Sequence, residues 1–318
     1  TGSTVSFGNS LTGDNENLTI TGNGSFTGAV SSIAALQVTG DATTGSTVSA
    51  TSVAFDSNSS LGGNVTATGD ITLSDGDGVV LTADTELDGD NVTVSSGVSG
   101  AFTLTLDGAS SVDVQGAVTT TNLTTETAAM VDSINIGGNL SVSGGTLTDD
   151  NGDATLGGDL TSTSAISVTS GALAVTGDAS LGGNVTTSGD LTLSDSDGVV
   201  LTADTELDGD NVLVSSGVSG AFTLTLDGAT SADVQGAVTT SNLTTETAAM
   251  VDSVNIAGDL SVSGGTLTVD TANAAVGGNA DISSQVSVTS GSLAVTGTSA
   301  IGANVTTSTS QTYTGAAT

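Results

Sequence analysis

The sequence predicts an all-β chain wound as a parallel β-solenoid, and three observations predict it. A long block recurs every 120 residues. A shorter period of about 20 residues runs inside that block. Each short period carries apolar–polar alternation over about four residues, closed by Gly, Asn or Asp. Side chains alternate between the two faces of a strand, so each run buries one face and wets the other. One coil of such strands cannot cover its own inner face, so successive coils must stack.

The long repeat is read directly. Leu61-Gly62-Gly63-Asn64-Val65-Thr66 returns as residues 181–186, and again as Ile301-Gly302-Ala303-Asn304-Val305-Thr306, each 120 residues on. Leu81 to Asn91 is identical to Leu201 to Asn211. The chain therefore reads as a single continuous solenoid, 1–318: a diverged partial unit at 1–60, repeat units at 61–180 and 181–300, and the start of another at 301–318. About 20 residues per rung makes roughly 16 rungs.

The strand runs follow in order within the repeat: Asp70 to Ser74, Asn91 to Ser95, Phe102 to Leu106, Val112 to Gln115, Leu140 to Ser143, Ile166 to Val168 and Leu173 to Val175. One stretch competes as a helix, Asn122 to Ser133, with Thr124 as cap and Ala128 to Val131 behind it. Its threonines lower helix propensity, and no basic residue serves its C-terminal end. It reads as another rung with a wider loop. Val, Leu, Ile and Ala face inward, and Phe7, Phe26, Phe55, Phe102 and Phe222 are expected to fill wider parts of the core. Proline, which would remove a ladder donor, is absent throughout.

Composition narrows function sharply. The chain has 34 Asp and Glu against no Lys, Arg or His, a net charge of −34. Side-chain salt bridges, phosphate clamps and imidazole ligands are therefore excluded. Nucleic acid and acidic lipid surfaces would be repelled. With no cysteine there is neither a disulfide nor a thiolate site. No apolar run is long enough for a membrane-spanning helix, so no membrane insertion is expected. Mean hydropathy of +0.24 and only 11% charged residues argue against disorder. A start at Thr1 rather than methionine reads as a processed product or a piece of something longer.

Divalent cations are the natural partners of this charge. The sharpest cluster is Asp75, Asp77, Asp84, Glu86, Asp88 and Asp90, copied as Asp195, Asp197, Asp204, Glu206, Asp208 and Asp210. With Leu81, Ala83, Thr85 and Leu87 inward, Asp84, Glu86 and Asp88 share an outer face about 6–7 Å apart. Carboxylates at this density suit Ca²⁺, which takes six to eight oxygens. Diffuse screening of the surface is the alternative, and Asp-Gly pairs are also ordinary turn chemistry. Asp84-x-Glu86-x-Asp88-Gly89 resembles a calcium-binding loop but has Ser95 where a bidentate Glu belongs. Asp149-Asp150-Asn151-Gly152-Asp153 is weaker, because its copy is Val269-Asp270-Thr271-Ala272-Asn273. Asn-x-Ser/Thr triplets occur at Asn64, Asn122 and Asn242 among others; the Gly-Gly-Asn repeats, as at Asn64, read as turn-forming asparagine ladders, and occupied glycans are the alternative.

Three stretches carry a family resemblance: Val80 to Gly89 (VLTADTELDG), Asn122 to Glu126 through Ile134 to Gly138, and Asn304 to Thr307 through Gln311 to Ala316. They resemble the units of large secreted bacterial repeat proteins, the filamentous-haemagglutinin-like and autotransporter-adhesin-like chains. The resemblance covers most of 61–318. It implies a right-handed parallel β-helix, outside the cell or on the bacterial surface, acting as stalk, adhesin or fibre. The complete lack of Lys and Arg departs from those families.

The expected function is therefore non-enzymatic: an extracellular or cell-surface rod or fibre. No cap is evident at Thr1-Gly2-Ser3 or Thr314 to Thr318, and open strand edges template association, so either the natural chain continues or the ends stack on neighbouring subunits by self-association into a fibre. An adhesin module holding a glycan or cell-surface receptor on a lateral face, with Ca²⁺, is the alternative. Ice binding needs aligned Thr-x-Thr in every rung, and few rungs besides Thr103-Leu104-Thr105 and its copy supply it. An enzyme would need one cleft, whereas these acidic residues come in tandem copies.

Overall fold

The computed structural model describes residues 3–318, and no helix occurs among them. The chain divides into two compact units, Thr1–Leu156 and Gly157–Thr318. Each is a parallel β-solenoid with three short strands to a turn. In the second unit, Leu160–Ser162, Ile166–Val168 and Leu173–Val175 pair in parallel with Ala179–Leu181, Val185–Thr187 and Leu191–Leu193 of the next turn. In the first, Ala42–Thr44 pairs with Ser59–Leu61, while the two halves of Val48–Phe55 pair with Val65–Ala67 and Ile71–Leu73. Partner spacing centres near 19, running from 16 at Val118↔Ile134 to 22 at Val65↔Leu87. That sharpens the expected value of about 20, and gives each unit about eight turns.

Alternation along the strands builds the core. Most three-residue strands bury their first and third residues and turn the middle one outward, as in Leu260–Val262 and Val286–Val288. Each inward residue lies over its counterpart in the neighbouring turn. Leu224, Leu243 and Leu260 form one such stack, all at most 1% exposed. Full burial of a Leu or Val contributes about 2 kcal/mol, repeated turn after turn.

Corners decide where alternation breaks. Thr85–Val94 runs round a corner without leaving the ladder, pairing with both Val65–Thr66 and Ile71–Leu73, with a bulge between Gly89 and Asn91. Gly145 and Gly265 sit in the left-handed region, with φ of 79° and 64°. A side chain there would strike the backbone of Ala128 or Ala248 in the preceding turn.

The stretch Asn122 to Ser133 is strand, as its threonines suggest: Val98–Thr125 and Ala129–Ile136 cover it on either side of a turn, with Ala129 and Val131 buried and Met130 41% exposed. Not all five phenylalanines fill the core as expected. Phe26 and Phe55 fill the core, and Phe7 stacks on Phe26 with ring centroids 5.4 Å apart. Phe102 and Phe222 are only half-buried. Phe222 lies at a bend just before the strand Thr223–Thr239, and Phe102 lies within Val98–Thr125; both share the parity of the inward Leu104 and Leu224 without being fully buried.

Candidate acidic site

The structure distributes the twelve acidic residues by role. Asp75 and Asp195 are the most buried, 2% and 1% exposed. Oδ1 of Asp195 accepts the N–H groups of Asp197 (2.8 Å) and Gly198 (2.9 Å), and Oδ2 accepts that of Ala179 (2.8 Å) in the preceding turn. Asp75 does the same with Asp77, Gly78 and Ser59. Each carboxylate thus closes its own loop and ties it to the turn before. Both were expected at the surface; they are internal acceptors for backbone donors that burial would otherwise orphan.

The remaining residues mostly have local partners. Asp84 and Asp204 precede their strands, and each Oδ1 accepts a backbone N–H of the next turn, from Thr103 and Thr223, both at 2.8 Å. The expected row of Asp84, Glu86 and Asp88 therefore shortens to Glu86 and Asp88, which do share the outer face of Thr85–Val94. Glu86 is clasped by Asn64: the Asn64 amide donates to Oε2 (2.8 Å), and Asn64 Oδ1 accepts the Glu86 N–H (3.1 Å). Glu206 and Asn184 repeat this at 3.0 and 3.1 Å. Asp90 accepts the Ser110 hydroxyl, and Asp210 that of Thr230 at 2.8 Å. Asp77 lies 3.4 Å from the Asn58 amide; its copy Asp197 is 15 residues before Val212 in the same unit and borders a shallow depression with Asp159 and Asp178.

What a linear reading misses is a column across turns. Asp88 pairs with Asp107, and Asp208 with Asp227. The N–H groups of Glu126 and Glu246 donate to Leu106 and Leu226 at 3.0 Å, which sets each Glu one turn beyond the aspartate pair. Three carboxylates are thus stacked at about 4.8 Å per turn. Burial first, then Asp88, Glu126 and Asp107, raises the carboxyl of Glu86 above its usual range. Burial, then Asp208, Asp227 and Glu246, does the same to Glu206. Asp208 is raised by burial and by Asp227. The signal was available in the numbering: 88, 107 and 126, and 208, 227 and 246, each step being 19 residues.

A Ca²⁺ shell requires six to eight oxygens converging on one point. Among the described residues, no group of three or more Asp or Glu is placed to hold a metal ion. The oxygens of Asp75, Asp84, Glu86 and Asp90 point at amides and hydroxyls of their own fold. These oxygens serve as structural acceptors, beside columns of mutually repelling charge.

Asparagines hold the corners in the same manner. In the second unit the Asn242 amide donates to the Thr223 hydroxyl (3.1 Å) and Asn242 Oδ1 accepts the Asp259 N–H (2.7 Å). Asp259 Oδ1 accepts the Asn279 N–H (2.7 Å), and Asn279 Oδ1 that of Thr298 (2.9 Å). With Asp204 below, this is a ladder of side-chain acceptors, one per turn, along one corner.

The chain matches no family model, no curated protein and no solved structure. Among the described residues, no helix is long and apolar enough to cross a membrane.

One acid stands apart. Asp149 is 1% exposed, and its Oδ2 accepts the Ile134 N–H at 3.0 Å. Burial lifts its carboxyl from 3.8 to about 6, against the pull of hydrogen bonds from Asn151 and Ile134 and with help from Asp150 and Asp132. The copy is Val269, fully buried. A folded-state value above the unfolded one means a contribution present in full below the unfolded value and lost as pH rises through about 6. Asp149→Asn removes this titration. The stability of the natural protein relative to this variant should rise by about 2 kcal/mol as pH falls from 7 to 4. Urea unfolding of both at each pH checks it, and a constant difference would contradict the assignment.

Proposed function

We propose that this chain is a non-enzymatic structural protein, a segment of an extracellular or cell-surface rod or fibre whose charge is screened diffusely by cations. The observation that carries the reading is duplication of the surface. The shallow depression beside Val80, lined by Asn58, Asp77 and Gly78, recurs beside Val200 with Asp178, Asp197 and Gly198. A second, beside Met130 with Val112 and Thr148, recurs beside Met250 with Ala232 and Thr268. An active site is normally one cleft in which unlike groups converge. Here equivalent patches of hydroxyls, amides and carboxylates repeat with the 120-residue unit, as suits a scaffold. The lack of Lys and Arg leaves no trypsin cleavage site, which suits exposure outside the cell.

Two readouts on the purified chain test this. Electron micrographs over a concentration series should show end-to-end filaments that lengthen with concentration and with added salt. Particles that stay single throughout would remove the fibre reading. Calcium at matched ionic strength should raise the unfolding midpoint no more than sodium chloride does. A rise specific to calcium and reversed by EDTA would replace screening with discrete cation sites.

A further inference from the structure

The chain contains two Asn-Gly pairs, Asn23-Gly24 and Asn151-Gly152, and the fold treats them in opposite ways. We propose that Asn151-Gly152 is a self-modifying site at which the chain converts its own asparagine to aspartate and isoaspartate. The Gly152 backbone nitrogen attacks Cγ of Asn151 and loses its proton. The new C–N bond closes a succinimide ring, and the side-chain nitrogen leaves as ammonia. Water then opens the ring at either carbonyl. One water enters and one ammonia leaves, with no change of oxidation state and no cofactor.

The geometry assigns the reaction to this pair. Asn151 is exposed and lies in the turn between Leu147–Asp149 and Ala154–Leu156. Its own N–H is anchored to the Asp132 carbonyl at 2.9 Å, whereas among the described residues the Gly152 N–H donates to no backbone carbonyl. Glycine offers no side chain to obstruct the attack, and the nearest atom to a side chain built there is Ser133 Cβ at 3.4 Å. The Asn23 pair is held at both reacting ends. Gly24 is buried within the strand Asn23–Phe26, and its N–H donates to the Asp41 carbonyl at 2.8 Å. Asn23 Oδ1 accepts the Asp41 N–H at 3.1 Å. Reaction there requires the strand to open first.

The repeat supplies a contrast, because the copy of the reactive pair is Thr271-Ala272 and cannot follow this path. Conversion at Asn151 adds a carboxylate to a turn that already holds Asp150 and Asp153. The isoaspartate form also adds a methylene to the main chain, one turn residue away from the buried Asp149.

The test is ageing of the intact chain at mildly alkaline pH and body temperature. Asp-directed proteolysis with mass mapping, and methylation by an isoaspartyl methyltransferase, would follow it. A gain of about 1 Da, with methyl acceptance, is expected at Asn151. Asn23 should convert at least about tenfold more slowly. Asn151→Thr, which copies residue 271, should remove the methyl acceptance that maps to this turn in the folded protein and leave only the slow background of the other pairs. The proposal is overturned if Asn151 stays intact in the folded chain under conditions that convert it in urea. Equal rates at both pairs in the folded chain would also overturn it.

Discussion

Leu226→Ala should cost the second unit about 3 kcal/mol, and Thr225→Ala, one residue earlier on the same strand, less than about 0.5. Leu226 is fully buried, stacked between Leu207 and Thr245 of the adjoining turns, whereas Thr225 is half-exposed and faces outward. The truncation leaves a cavity closed above and below by neighbouring turns, which cannot collapse without breaking ladder hydrogen bonds. Amide exchange in strands 205–214 and 242–245 should accelerate in the Leu226 variant and stay unchanged in the Thr225 variant. Equal effects at the two positions would mean that the strand does not present the alternating faces described.

Asp195→Ala is expected to be about as costly, near 3 kcal/mol, despite removing a negative charge from a chain of net charge −34. Relief of the repulsion between Asp195 and Asp178 works against that cost. Loss of the carboxylate orphans the N–H groups of Ala179, Asp197 and Gly198, at about 1 kcal/mol each. Asp195→Asn should be intermediate, since its remaining oxygen serves Asp197 and Gly198 while its amide faces the Ala179 donor. EDTA should leave the natural protein unaffected, because the partners of this carboxylate are backbone amides. A ligand role for Asp195 requires the reverse, with EDTA reproducing the loss seen in Asp195→Ala.

The solenoid was legible because its determinants are local and repeated. Alternation in runs such as Leu260–Val262, turn residues between runs and the copies 120 residues apart all state one architecture. Corners were less legible. Phe102 and Phe222 continue the strand parity of Leu104 and Leu224, yet both are only half-buried. The acidic residues were least legible. In a linear window Asp75 and Asp195 look like members of a surface cluster, because charge ordinarily marks the surface. Their burial follows from loop closure in Asp75-Gly76-Asp77-Gly78 and Asp195-Ser196-Asp197-Gly198, where the carboxylate takes the place of missing ladder acceptors. The column of Asp88, Asp107 and Glu126 lies outside any window shorter than two turns. Asp149 was visible as an acid opposite Val269 in the copy, but its burial emerges only once residue 149 is seen to occupy an inward position.

One outward column measures the parallel stack directly. Glu206, Thr225, Thr244, Ser261, Asp281 and Ala300 are successive partners on neighbouring turns. The chain has no cysteine, so pairs of cysteines for spin labels can be placed without background. Pulsed electron–electron distances for 206–261, 206–281 and 206–300 should centre near about 14, 19 and 24 Å, rising by about 4.8 Å per turn. Narrow distributions with that increment are the predicted result. Distances that fail to rise by one strand spacing for each added turn would contradict the solenoid.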